Sequence, residues 1–206
     1  MPKPFVDVKF SNNYENLKNE FPNLPKVAVK VFTAALKRDA LRTMKDFKEG
    51  IKENSFGLKR LSDLTIKKKE REGLPKPTYP LYGVGDESKR QSYMNMLRIK
   101  EQKQGFVVYP SKEKHHSEKI TLNRLWNVHE HGMIIKGRGG ALIRIPPRPA
   151  LRKALERAMR QRNMKETSGI IRTAIVLWIK YRDQSYLNKA QAYFLKGLEP
   201  YAVVGR

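Results

Sequence analysis

The sequence lacks cysteine, is poor in acidic residues and contains no long apolar run. Without cysteine among its 206 residues, the chain can form neither disulfides nor thiolate sites, which fits a reducing compartment. Its longest apolar run, residues 170–179, is interrupted by Arg172 and falls short of the roughly 20 residues that cross a bilayer. The opening stretch MPKPFVDVKF lacks the apolar core of a signal peptide. We therefore expect a soluble protein without a membrane partner.

The shortage of acidic residues leaves a large positive charge. Against 43 Lys and Arg stand 20 Asp and Glu, which gives a formal net charge of +23. Because like charges at this density repel one another, a partner of opposite sign is expected, such as nucleic acid, an acidic protein surface or an anionic membrane. The hydrophobic fraction of 39% is sufficient for a globular domain with a core.

No pattern typical of catalysis accompanies this charge. The sequence contains no G-x-S-x-G, H-E-x-x-H or Walker motif, and no carboxylate pair stands out from the charged background. We therefore predict that the protein is not an enzyme and uses no cofactor.

Apolar residues near the N-terminus recur at steps of three or four. This spacing predicts an amphipathic helix over residues 25–48, with Pro25 in its first turn and Gly50 at a frayed end. The residues on its apolar face are Val29, Phe32, Leu36, Ala40, Met44, Phe47 and Ile51.

The chain after Arg148 is predicted to be helical. An apolar stripe runs over residues 151–159. Residues 168–182 are apolar nearly all round, so a buried helix is expected there. A third helix is predicted over residues 185–196, ended by Gly197.

The middle of the chain combines residues that favour a short helix with prolines that favour a loop. Ser62 or Asp63 is expected to cap a short helix through the lysines at 67–69, after which several prolines favour an extended loop. The prolines are Pro75, Pro77 and Pro80.

Two strands, residues 92–101 and 105–110, are predicted to form a hairpin. A helix ended by Gly132 and a strand in ALIRIPP, residues 141–147, follow. The predicted fold class is α+β: a small, mainly antiparallel sheet packed with a long N-terminal helix and a helical C-terminal region.

The histidines raise the question of a metal site. His129 and His131 form an H-x-H pattern, with His115 and His116 nearby. A metal needs three or four converging ligands, whereas alternate residues of a helix point to different faces. We favour core or interface histidines. A histidine metal nuclease, which would require bound divalent metal, is a third alternative for the function.

The stretch KGRGG, residues 136–140, combines glycines with two cations. It could cup a phosphate, but phosphate loops normally open a helix, whereas this one precedes a predicted strand. We interpret it as a hairpin turn and keep Lys136 and Arg138 as candidate phosphate contacts.

Several weak motifs, taken in order, resemble the tailed-bacteriophage virion-morphogenesis family of tail-completion, neck and minor tail proteins. The similarity covers about residues 36–159, and the helices after residue 162 lie outside it. In this sequence Tyr82 and Val84 replace the small residue usual before Gly85, and Ala150 replaces a common aromatic. The motifs are LSDLTIKKKEREG (61–73), YPLYGVG (79–85), SYMNMLRI (92–99), GFVVYP (105–110), NVHEHG (127–132) and IPPRPAL (145–151).

The resemblance implies a structural protein of the virion, made in the host cytoplasm. It implies a homo-oligomeric ring, a hexamer, at the head-to-tail junction, between connector and tail proteins and near packaged DNA. It also implies a tail-completion-like α+β domain over residues 1–162 and a C-terminal helical extension over 163–206.

The candidate assembly residues belong to two of these motifs and to a basic loop, residues 61–83. HEHG and IPPRPAL are expected to be structural landmarks, with Arg148 held on a proline corner where it can pair with a carboxylate of its own or a neighbouring subunit. The loop over residues 61–83 is expected either to dock a neighbouring ring or to be a mobile surface loop. The candidates are Arg148, Pro149, His129, Gly132, Thr65, Lys67, Lys68 and Lys69.

The alternative to a virion role is a protein that binds nucleic acid without sequence preference. The net charge of +23 would bind the phosphate backbone. No zinc finger, RNP sequence or convincing helix-turn-helix is visible in the sequence.

Overall fold

The computed structural model describes residues 26–83, 89–102, 105–116, 120–136, 140, 142–181 and 183–201. Pro25, Val84, Gly85 and Arg138, which enter the predictions above, lie outside the described residues. The fold class is α+β, as predicted. The elements in chain order are α1 (Lys26–Lys52), α2 (Asp63–Arg71), β1 (Leu97–Gln102), β2 (Gly105–Pro110), α3 (Leu122–His131), β3 (Met133–Lys136), β4 (Leu142–Ile145), α4 (Ala150–Arg160), α5 (Met164–Tyr181), α6 (Ser185–Leu195) and a short 3₁₀ helix (Glu199–Tyr201).

The described strands form two separate antiparallel pairs, β1 with β2 and β3 with β4, and not one small sheet. The predicted strand over residues 92–101 begins only at Leu97. The reason is a local turn, because the Asn95 N–H donates to the carbonyl oxygen of Ser92 at 3.2 Å and to its hydroxyl at 3.3 Å. Hydrogen bonds between residues this close in the chain compete with strand pairing.

Helix α1 continues through Gly50, where its frayed end was predicted, and stops at Lys52. Gly50 is buried and lies against the ring of Phe56, which occupies the space that a Cβ atom would need. The glycine therefore allows the chain after the helix to fold back onto the last turn of α1.

The shorter helices begin at polar caps. The Ser62 hydroxyl accepts a hydrogen bond from the Thr65 N–H at 3.4 Å and starts α2, as the sequence predicted. Thr121 caps α3 in the same way, because its hydroxyl accepts a hydrogen bond from the Arg124 N–H at 3.4 Å. Gly132 ends α3 with a φ of 76°, in agreement with the prediction.

By contacts, the chain divides into two compact units, and the described residues belong to them within the following ranges. The first unit contains Thr43–Arg98 and Tyr109–Arg157, with Phe47 and Trp126 among its most deeply buried side chains. The second unit contains residues 26–42, 99–108 and 158–201. These units do not correspond to continuous stretches of the chain. The predicted boundary at residue 162, between an α+β domain and a helical extension, stays a prediction.

The core of the second unit joins three helices. Its buried residues are Val31, Ala34, Ala35, Ile171, Ala174, Leu187, Ala190 and Phe194.

The helix predicted over residues 168–182 belongs to α5, and the expectation that it is buried is wrong for one of its sides. Ile171 and Ala174 are buried, whereas Val176 and Ile179 are about half exposed, at 52% and 53%. Only one side of this helix packs into the core of the second unit, and its apolar composition continues onto the exposed side. No helix among the described residues is long and apolar enough to cross a membrane.

Candidate functional site

The HEHG and IPPRPAL motifs meet in the first unit. The backbone N–H of Arg148 donates to the carbonyl oxygen of His129. The carboxylate of Glu130 accepts hydrogen bonds from the N–H groups of Leu151, at 3.3 Å, and Arg152, at 3.0 Å. Glu130 therefore caps the N-terminus of α4 from α3, where a negative charge is favourable. We call the group His129, Glu130, Gly132, Arg148 and Pro149 the junction.

Gly132 is required at the junction for two reasons. Its φ of 76° lies in a region that favours glycine. A Cβ atom at this position would lie 2.8 Å from the carbonyl oxygen of Ile145 and 3.0 Å from the nitrogen of Pro147. The end of α3 and the end of β4 therefore approach each other as closely as the backbone allows.

Within its own chain, the side chain of Arg148 bonds to a backbone carbonyl oxygen, and its pairing with a carboxylate of a neighbouring subunit stays a prediction. Its side chain is buried, with the residue 6% exposed, and its Nε donates to the carbonyl oxygen of Lys59 at 3.1 Å. No carboxylate among the described residues forms an ion pair with it. Burial lowers the pKa of Arg148 from its usual value. In this structure the guanidinium therefore holds the chain before α2, and Pro149 precedes the first residue of α4.

His129 is largely buried at the junction. Its ring makes an edge-to-face contact with Tyr93, with centroids 5.1 Å apart. Burial, together with the nearby charges of Arg148 and Lys69, lowers the pKa of His129 to about 4. The imidazole is therefore neutral near neutral pH, as expected of a packing residue.

The H-x-H pattern does not converge on a common site. His131 is exposed and makes an edge-to-face contact with Trp126, whereas His129 contacts Tyr93. Within the described ranges, no group of three His, Asp or Glu side chains is arranged to hold a metal ion.

The lysines of the basic loop divide by role. The ammonium group of Lys69 donates to the carbonyl oxygens of Tyr79, at 2.8 Å, and Tyr82, at 2.6 Å, and so ties the proline-rich segment to α2. Lys67 and Lys68 are exposed on the same helix, and Thr65, also exposed, belongs to its N-terminal cap. The structure thus brings Lys69, His129 and Arg148 close enough for their charges to interact and leaves Lys67 and Lys68 at the surface.

Other cations are likewise used within the first unit. Lys76, Lys153 and Arg157 donate to the carbonyl oxygens of Lys52, Phe56 and Ser55, respectively. These carbonyls lie at or just after the C-terminus of α1, where positive charge is favourable. Part of the positive charge therefore stabilises the connection between α1 and α2.

Strands β3 and β4 form an exposed antiparallel pair that we call the ribbon. In its register Met133 lies opposite Ile145 and Ile135 opposite Ile143, so these four apolar residues share one face. The other face combines two aliphatic residues, Ile134 at 62% and Leu142 at 75% exposure, with the cations Lys136 and Arg144.

Sequence reasoning identified β4 but missed the exposed apolar surface of the ribbon. The signal was present, since MIIK and LIRI flank a glycine-rich stretch. Most of the predicted turn over residues 136–140 lies outside the described residues. Of the two candidate phosphate contacts, Lys136 lies exposed at the end of β3, and Arg138 lies outside the described residues.

Comparisons of the chain with protein-family models, with curated proteins and with solved structures found no match.

Proposed function

We propose that this chain is a structural virion protein of a tailed phage, a tail-completion or neck protein that assembles into a homo-oligomeric, six-fold ring at the head-to-tail junction. The proposal joins the resemblance of its ordered motifs to a surface suited to assembly. Other connector and tail proteins would be its neighbours, and Lys67, Lys68 and Thr65 would lie in a docking loop.

The exposed ribbon is the observation that carries this proposal. A two-stranded sheet is marginal in water by itself, and this one exposes aliphatic side chains on both faces. One residue separates α3 from β3, and four residues separate β4 from α4. The hydrogen bonds of Glu130 hold these two helix ends together. A partner would therefore meet an apolar surface on a fixed base, and less conformational entropy would be lost on binding.

Assembly can be tested with a double substitution on the ribbon, Ile134→Lys with Leu142→Lys. Burying an aliphatic side chain contributes about 1.5–3 kcal/mol, so the variant should need more than about tenfold higher concentration to assemble. Sedimentation velocity and negative-stain microscopy would measure ring formation by the full chain. Val176→Lys with Ile179→Lys is the matched control, because these two aliphatic residues are 52% and 53% exposed on α5, outside the ribbon and the loop over residues 61–83.

Two outcomes would contradict the assembly role: a chain that stays monomeric at every concentration, or ring formation that the ribbon substitutions leave unchanged. A monomer that shifts duplex DNA, with a steep loss of binding as salt is added, would favour the nucleic-acid alternative.

A further inference from the structure

The first unit has a cavity of about 310 Å³, and no residue of the junction or the ribbon lines it. Its lining residues are Lys89, Arg90, Gln91, Glu113 and His116. This volume lies at the lower end of the range for small-molecule sites. The two chain segments that line it are joined directly, because the His116 N–H donates to the carbonyl oxygen of Gln91 at 3.0 Å.

The first of these segments is fixed by a turn. The carbonyl oxygen of Lys89 accepts hydrogen bonds from the Ser92 N–H, at 3.2 Å, and the Asn95 side-chain amide, at 3.1 Å. These bonds hold the backbone that carries Lys89 and Arg90.

The second segment is fixed against the start of α3. The Leu122 N–H donates to the carbonyl oxygen of Glu113 at 2.9 Å, and the His115 N–H donates to that of Ile120 at 2.8 Å. Both walls of the cavity are therefore formed before any ligand arrives.

The charges at this cavity do not balance. The Glu113 carboxylate lies 2.9 Å from Nη2 of Arg98 and 3.3 Å from Nη2 of Arg90. The Arg98 side chain is only 3% exposed and pairs with this carboxylate besides donating to the carbonyl oxygens of Asn95 and Leu97. The Arg90 side chain is 63% exposed, so its ion pair is weak. With Lys89 beside them, one carboxylate faces three cations, which leaves a local positive excess.

The histidines add a second observation. The rings of His115 and His116 lie in contact, with centroids 4.0 Å apart and planes tilted by 39°. Nε2 of His116 is buried without a hydrogen-bond partner among the described residues. Burial, followed by the charges of His116 and Lys89, lowers the pKa of His115. A buried polar atom beside cationic groups suits an oxyanion, which would accept its hydrogen bond.

We propose that this cavity binds a phosphate group, with Arg90 and Lys89 supplying the positive charge and His116 a hydrogen bond. Phosphate offers several acceptor oxygens and up to two negative charges, which match two cations and an N–H donor. The group could come from the phosphodiester backbone of DNA or from a free phosphate. Binding at this cavity requires no ring.

The test uses the full chain and two charge-matched double variants. Lys89→Gln with Arg90→Gln removes two charges at the cavity, whereas Lys67→Gln with Lys68→Gln removes two exposed charges from α2. Calorimetry with inorganic phosphate should show an affinity at least about tenfold lower for the cavity variant and a change below about twofold for the control. His116→Ala provides a third variant without any change in fixed charge and should also weaken binding.

A short DNA duplex, measured in the same way, distinguishes the two sources. If the cavity variant loses duplex binding more than the α2 variant does, the phosphodiester is the ligand. If only inorganic phosphate binding is lost, the ligand is a free phosphate. Absence of saturable phosphate binding, or equal losses in both double variants, would overturn the proposal while leaving the assembly role unaffected.

Discussion

At residue 50, a glycine inside α1 faces the ring of Phe56, which follows it in the chain. In a helix interior, replacing glycine by alanine usually adds about 0.5–1 kcal/mol of stability. At Gly50 the new methyl group would overlap the Phe56 ring. Because overpacking costs about 1–3 kcal/mol, Gly50→Ala should lower the free energy of unfolding in urea denaturation.

Gly169 in α5 gives the matched control, because a Cβ atom there would meet nothing within 4 Å. Gly169→Ala should therefore be stabilising. Equal stabilisation by both substitutions would show that Phe56 does not lie on Gly50 in solution.

At the scale of elements, the N-terminus of α4 depends on an acidic side chain from α3. Glu130→Ala would leave the buried N–H of Leu151 and the N–H of Arg152 without their acceptor. Loss of such a cap costs about 0.5–2 kcal/mol, and a buried unpaired donor adds to that cost. We expect a loss of about 2–3 kcal/mol in the free energy of unfolding, measured by chemical denaturation.

Glu156→Ala on α4 is the control for this substitution. Its carboxylate pairs with Arg152 at 3.4 Å on the exposed side of the helix, so its removal should cost less than about 1 kcal/mol. A Glu130→Ala variant as stable as Glu156→Ala would contradict the capping role.

The elements also show what the sequence could predict. The periodicity of α1, the Ser62 cap and the Gly132 stop depend on near neighbours in the chain, and all three were predicted correctly. The contact of Phe56 with Gly50 depends on how the chain folds back after α1, which periodicity does not encode. The bond from Arg148 to Lys59 spans 89 positions of the chain and likewise has no local signal.

For the whole molecule, the buried His129 makes stability depend on pH. Its pKa falls from 6.5 to about 4 on folding, so between these values the unfolded chain binds more protons than the folded one. Stability is therefore lost as pH falls from about 6.5 towards 4, by up to about 3 kcal/mol from this residue. Glu130 has the opposite effect on stability. Burial raises its pKa, so the folded chain binds this proton at a higher pH than the unfolded chain does, and stability from this residue increases as pH falls.

Thermal or urea unfolding of His129→Gln at a series of pH values checks this expectation. The variant should lose less stability than the parent chain between pH 6.5 and 4. His131→Gln removes a histidine from the same helix and serves as the control. A parent-like acid profile in His129→Gln would mean that this imidazole is not buried in solution.

The junction also has a mechanical consequence. β3 leaves α3 directly after Gly132, and β4 returns to α4 through three prolines and Arg148. Because the hydrogen bonds of Glu130 connect α3 to the first turn of α4, tension applied at Lys136 and Leu142, the outer ends of the two strands, would be carried by two connected helices.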